Sequence, residues 1–300
     1  MKDSEPRGTQ GAGMTIAQHD LVQAVQDLEP LPPTAARLGG LLSRKDWDIR
    51  EVEETIAFDQ ALTAKLLRLA NSALWFRGHA VATVRDAVMR LGSGTVVGLA
   101  MGAGMQRRFA KALPQYGLRE GELWTHSVAA TLAASVISSA TIADVPVEAS
   151  AAALMHDVGK LVMARYLDPD SLHRIEEVRR TEGLSLHEAE IAVMGLDHAE
   201  LGGVIAVEWK LPERLVTGVV HHHDPSKTTD SIASVVHLTD VVAYRAQRRA
   251  SVAPLASTPQ PPLPEPDPAA LQVLGLGAND LERVAESVAD ELSDVLRRYS

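Results

Sequence analysis

Cysteine is absent from the 300-residue chain, which excludes disulfide staples, thiolate metal sites and a cysteine nucleophile. Long apolar runs are also lacking. The most apolar stretch, residues 128–143, is broken by serines and falls short of the about 20 residues that span a bilayer. Positive charge is in deficit: 29 lysines and arginines stand against 39 aspartates and glutamates, for a net charge of −10. Nonspecific binding to nucleic acid or to an anionic membrane needs a basic face, and this balance argues against both. Met1 to Met14 is polar, with no apolar segment of the kind a secretory leader carries. These absences lead us to expect a soluble, cytoplasmic protein.

What the chain does contain is helix-forming sequence. Hydrophobic residues make up 46% and charged residues 23%, an ordinary balance for one large domain or two small ones. No convincing alternation of period two appears, so the prediction is an all-α fold. Pro32 and Pro33 open a helix through Leu42. Asp48 caps one over 49–58, with Glu51 completing a capping box, and Asp59 caps another over 61–71. Further helices are predicted over 84–91, the glycine-rich 96–105, 123–139, 147–166, 172–182, 186–193, 198–209, 212–222 and 231–247. Residues 1–16 read as a disordered tail, 17–118 as an N-terminal helical lobe and 119–250 as a second lobe. Residues 251–268 read as a linker or loop, because seven of the sixteen prolines fall between Pro254 and Pro268. A C-terminal amphipathic helix follows in 269–300, capped by Asn279 and striped with Leu281, Val284, Val288, Leu292 and Val295.

The residues suited to chemistry are imidazoles and carboxylates. Glu122 and His126 are four apart and share a helix face, either as a solvated pair or as ligands. Asp157, after His156, emerges from the apolar run Ala151–Met155. It must be hydrogen-bonded, ion-paired or metal-bound there, or else cap the helix over Gly159. Lys160 then either neutralises the phosphate of an anionic substrate or simply pairs with Asp157. His198 alone reads as a structural histidine or a ligand. His221, His222 and His223 lie about 100° apart around a helix, so at most two reach one site. Asp240 interrupts an apolar stretch, where an inward carboxylate again needs a partner. Mixed nitrogen and oxygen ligands suit iron, manganese, nickel or zinc better than magnesium or calcium, and a carboxylate between two ions can bridge them.

The order of these residues resembles the HD superfamily of metal-dependent phosphohydrolases. Its signature of His, His-Asp and a distal Asp falls on His126, His156, Asp157 and Asp240. More closely, Leu21 to Gln247 is similar to the HDOD domain, a bacterial signalling branch related to HD-GYP phosphodiesterases. The similarity rests on Leu31-Pro32-Pro33, Asp59 through Ser72, Val88 through Gly92, Leu123 through Ser127, His156 through Leu161, Trp209 through Pro212 and His222 through Pro225. It implies an N-terminal helical HDOD subdomain packed on an HD-type helical bundle. Comparison with HD-GYP relatives implies the metal ligands Glu122, His126, His156, Asp157, His198, His222, His223 and Asp240, enough for two ions. The chain departs from those relatives after His223, where no Gly-Tyr-Pro loop of the kind associated with cyclic dinucleotides is found.

Two functions follow from the resemblance. In the first, the chain is a signalling and regulatory module that acts through protein partners, with a metal or nucleotide as structural or sensory ligand. In the second, it is a dinuclear phosphodiesterase or phosphatase in which Asp157 bridges the ions and Lys160 holds a nonbridging phosphate oxygen. The first is the expectation here, since HDOD domains are commonly regulatory. No receiver, cyclase or kinase sequence is fused to it, so input and output are expected from separate chains. Trp75 and Phe76 are expected at an interface or in the lobe junction. The C-terminal helix is expected to dock on the body or to exchange between the protomers of a homodimer.

Overall fold

Helices begin where a short polar side chain can hold the first free backbone N–H groups. In the computed structural model, Asp59 accepts from the Leu62 N–H, Thr83 from Asp86, Asp168 from Ser171 and Asp197 from Glu200. Ser185 and Glu188 form a reciprocal capping box. The structure describes residues 23–28, 31–42, 44, 46, 48–57, 59–72, 75–76, 78–250 and 263–299. The fold is all-α, with no β-strand among the described residues. The N-terminal helices are α1 (Pro33–Leu42), α2 (Ile49–Ala57), α3 (Gln60–Ala70), α4 (Val84–Leu91) and α5 (Ser93–Phe109). The bundle behind them comprises α6 (Glu122–Ala140), α7 (Ala149–Met155), α8 (Lys160–Met163), α9 (Pro169–Glu182), α10 (Leu186–Met194), α11 (His198–Glu208), α12 (Glu213–Val220) and α13 (Ser231–Ala250). Two C-terminal helices, α14 (Pro268–Leu274) and α15 (Ala278–Tyr299), complete the order. None of the described helices is long and apolar enough to cross a membrane.

Three helix predictions are corrected. The helix predicted over 147–166 breaks into α7 and α8 at the His-Asp pair, where Val158 bonds to Met155 and Lys160 to Asp157 three residues back. α12 stops at Val220, so His221, His222 and His223 leave in a turn and helical angles do not apply to them. The C-terminal region holds two helices: Pro268 occupies the first turn of α14 beneath an Asp267 cap, and Asn279 lies inside α15 instead of capping it. The tail read into residues 1–16 and the proline-rich stretch across 251–262 lie outside the described residues.

The N-terminal helices pack on the bundle through α5, which crosses α6 and α7. Its glycines permit that approach: a Cβ on Gly94 would lie 2.1 Å from the Val147 carbonyl oxygen. α6 is buried from Glu122 to Ser135, as the central helix of the bundle must be. α15 lies across α6 and α13, with Leu281, Val284, Val288, Leu292 and Val295 all buried. Trp75 is only 7% exposed and belongs to the core, whereas Phe76 is 46% exposed.

Candidate metal centre

The candidate residues arrive from five places in the bundle. α6 carries His126, the turn between α7 and α8 carries His156 and Asp157, and Lys160 begins α8. His198 begins α11, His222 and His223 follow α12, and Asp240 lies midway along α13. A backbone contact brings two of these together. A Cβ on Gly159 would lie 1.8 Å from the His198 carbonyl oxygen and 2.7 Å from the Gly202 nitrogen. Only a residue without a side chain lets α8 and α11 touch this closely. That contact sets His198 Nε2 at 3.3 Å from Asp157 Oδ1.

Four imidazoles are held by the ring nitrogen that faces away from the centre. His156 Nδ1 donates to the Ala153 carbonyl at 2.7 Å, and His222 Nδ1 to that of Val219 at 2.7 Å. His198 Nδ1 donates to Glu190 Oε2 at 2.6 Å, and His126 Nδ1 lies 2.9 Å from Gln247 Oε1. Carbonyl and carboxylate oxygens only accept, so Nδ1 of His156, His198 and His222 carries a proton while Nε2 faces inward. His126 Nε2 is 2.9 Å from Asp240 Oδ1 and 3.3 Å from His156 Nε2. His198 Nε2 is 2.9 Å from His223 Nε2. His222 Nε2 is buried and has no hydrogen-bond partner.

These atoms fall into two groups, each with ligand atoms within 4.8 Å of one another: His126 with His156 and Asp157, and His198 with His222 and His223. Asp157 stands between them, turning Oδ1 toward His198 and Oδ2 toward His156, at 3.3 and 3.5 Å. Lys160 Nζ donates to the same Oδ2 at 2.7 Å.

Burial opposes charge throughout the cluster, and the carboxylates decide which groups keep it. For His156, burial is outweighed by Asp157 and then Asp240, which push it up to about 10. For His198, Glu190 and Asp157 likewise outweigh burial and raise it to about 9. Burial is overcome at Asp157 too, where Lys160 and His156 hold the carboxyl well below its ordinary range. His222 and His223 go the other way: burial and neighbouring imidazoles keep both well below the usual histidine value. The cluster thus draws in positive charge while keeping two imidazoles neutral.

Glu122 is not brought into either group. Its carboxylate accepts from the backbone N–H and the guanidinium of Arg119 at 2.8 Å. Sequence reasoning missed four supporting residues: Glu190, Gln247, Tyr116 and His187, the last stacked on His223 at 4.3 Å between ring centroids. Only Glu190 leaves a legible signal, as a glutamate beside Ala189, Val193 and Met194 on the buried face of α10.

This donor set fits a divalent metal. Imidazoles that turn Nε2 inward, backed by acceptors on their outer nitrogens, are the usual support for a bound ion, to which His156 and His198 would each give up a proton, and the unpartnered His222 Nε2 is the atom that most needs one. Nitrogen-rich mixed ligands favour transition metals over magnesium or calcium.

An all-helical protein in which His, His-Asp and a distal Asp converge belongs to the HD class of folds. Within that class, the chain belongs to the HDOD domain family, whose sequence profile matches residues 28–225. It shares its fold with an HDOD domain protein of unknown function from Geobacter sulfurreducens, at 24% identity, 94% of this chain, 95% of that one and a TM-score of 0.66. A "Putative phosphohydrolase" from Shewanella amazonensis SB2B is similar at 24% identity, covering 93% of this chain and 98% of that one, with a TM-score of 0.62. An "Uncharacterized protein" of Treponema pallidum (strain Nichols) is 24% identical over 209 residues, or 68% of this chain. This chain spans 39% of that curated relative's length.

Proposed function

We propose that the chain is a regulatory signalling module whose buried histidine–carboxylate centre binds divalent metal and whose output is a contact with a protein partner. His126, His156, Asp157 and Asp240 would hold one ion, and His198, His222 and His223, with Asp157 shared, a second. Glu122 would join only by releasing Arg119. The observation that carries this reading is the closure of the centre around an unpartnered ligand atom. His156 and His222 are 0% exposed, His198 1% and Asp157 2%. A centre this far from water offers an incoming substrate little access, which favours a structural or sensory ion over a catalytic one. Elemental analysis of the purified protein tests it: iron, manganese, nickel or zinc is expected, at up to two ions per chain. Protein that carries none, and whose melting temperature responds to none of the four, sinks the reading. In a deletion strain, Asp157→Ala is expected to restore most of the wild-type phenotype.

A second reading, a metal-dependent phosphohydrolase, is favoured by one feature. Asp157 offers a different oxygen to each ligand group, with Lys160 beside it. Metal in such a site supplies Lewis acidity toward a phosphoryl oxygen. On this reading Asp157→Ala abolishes phosphodiester or phosphomonoester hydrolysis and also fails in the deletion strain. Cyclic di-GMP turnover is not expected without the Gly-Tyr-Pro loop.

A further inference from the structure

The segment between α5 and α6 folds back on itself as a closed loop. Leu113 and Leu118 exchange backbone hydrogen bonds at 2.9 and 3.1 Å, and the Gly121 N–H donates to the Ala110 carbonyl at 2.7 Å. Gly117, at φ 66, makes the left-handed turn inside it. This loop presents Tyr116, whose hydroxyl donates to Glu190 Oε1 at 2.8 Å. The other oxygen of Glu190 accepts from both the backbone N–H and Nδ1 of His198, at 2.9 and 2.6 Å. Glu190 is 0% exposed, so its carboxylate depends on these donors. The Tyr116 ring stands edge-on to the His198 ring, with centroids 6.4 Å apart.

We infer that Tyr116 and Glu190 are positioning residues, and that through them the connector from the N-terminal helices sets how His198 faces the metal centre. Two bonds from one carboxylate oxygen fix both the ring orientation and the proton on Nδ1. Without them the ring can turn, or its proton can move to Nε2, where a ligand needs a lone pair. The tyrosine hydroxyl holds that carboxylate in place from the opposite side. Anything that shifts the N-terminal helices against the bundle would therefore change metal affinity through this connector. The inference rests on the proposal that the centre binds metal, but the hold on His198 can be read separately.

The test uses the full chain, with Tyr116→Phe and Glu190→Gln. Imidazole 15N–1H correlation spectra of EDTA-treated protein, recorded at alkaline pH where the ring holds a single proton, report which nitrogen of His198 carries it, and calorimetric titration with zinc(II) reports affinity. Glu190→Gln is expected to shift the His198 nitrogens away from full Nδ1 protonation and to weaken zinc binding by about 10- to 100-fold. Tyr116→Phe is expected to do the same more weakly, by about five-fold, as fits the loss of one hydrogen bond. Variants that melt earlier but keep the wild-type His198 spectrum and zinc affinity would overturn the inference, reducing both residues to structural supports. Shifts as large at His222 as at His198 would also overturn it, since the relay reaches only His198. Wild-type protein that binds no zinc, with His198 shifted as expected in the variants, would refute the metal reading and leave the positioning of His198 standing.

Discussion

Gly159→Ala tests whether a backbone contact assembles the centre. The added Cβ would lie 1.8 Å from the His198 carbonyl oxygen, 2.8 Å from its carbonyl carbon and 2.7 Å from the Gly202 nitrogen. All three are backbone atoms, so no side-chain rotation relieves the overlap. Carbon and oxygen rest about 3.3 Å apart, so the start of α11 has to retreat from α8 by roughly 1.5 Å. The retreat is resisted from the α12 side, where a Cβ on Gly202 would lie 2.9 Å from a Val219 methyl, so α11 is already packed closely there. Overpacking a core costs about 1–3 kcal/mol, and a clash confined to backbone belongs at the upper end. At about 2–4 °C per kcal/mol for a chain of this size, the melting temperature of EDTA-treated protein should fall by roughly 6–12 °C. The same movement draws His198 away from Asp157, so zinc affinity should fall as well. Gly40→Ala is the control: it is an exposed position in α1 with nothing within 4 Å of the added atom. That substitution should stabilise by about 0.5–1 kcal/mol. A Gly159→Ala protein that melts within about 1 °C of wild type, with zinc affinity unchanged, would refute this account of how Asp157 meets His198.

Three further outcomes are expected. Zinc at about 100 times its dissociation constant should stabilise the protein by about 2.7 kcal/mol in thermal scans; His222→Leu should erase that gain yet destabilise EDTA-treated protein less than Asp157→Asn does, because it costs one bond to the Val219 carbonyl, whereas the carboxylate is paired with Lys160, His156 and His198. His156 and His198 stand at about 10 and about 9, above the about 6.5 of an unfolded imidazole, so their stabilisation is complete below about pH 6.5 and is lost as pH rises through those values. EDTA-treated protein should therefore melt progressively earlier from about pH 6.5 to 8.5, while zinc, which competes with protons for the imidazoles, should stabilise more over the same range; parallel curves would contradict this. Leu292→Ala, at a fully buried position on the stripe of α15, should cost about 2–5 kcal/mol by chemical denaturation, and a loss under 1 kcal/mol would show that α15 is only loosely docked.

The sequence makes the inward-facing residues legible and leaves their supports obscure, for a physical reason. His156 and Asp157 follow an unbroken apolar run and Asp240 interrupts another, so their burial can be read from their neighbours. Gly159 reads only as a turn, because nothing near it in sequence announces the backbone of α11 lying against it. Glu122 and His126 do share a helix face, yet the spacing that pairs them also places Arg119 three residues before Glu122, and the guanidinium takes the carboxylate. Gln247 is 121 residues from the histidine it faces, beyond the reach of any local pattern.

The C-terminal helices show the same limit at the level of packing. The stripe from Leu281 to Val295 states that α15 must be covered, but not by what. The structure lays it across α6 and α13, the helices that carry His126 and Asp240. Arg245 and Arg249 of α13 pair with Glu282 on α15, and His237 joins the two regions from within. His237 Nδ1 donates to the His222 carbonyl at 2.8 Å, and its Nε2 accepts from the Asp267 N–H at 2.9 Å, one residue before α14 begins. One imidazole therefore ties the turn bearing His222 to the start of the C-terminal pair. That pair lies beyond the 28–225 stretch that the family profile matches, yet it braces three of the elements that converge on the centre.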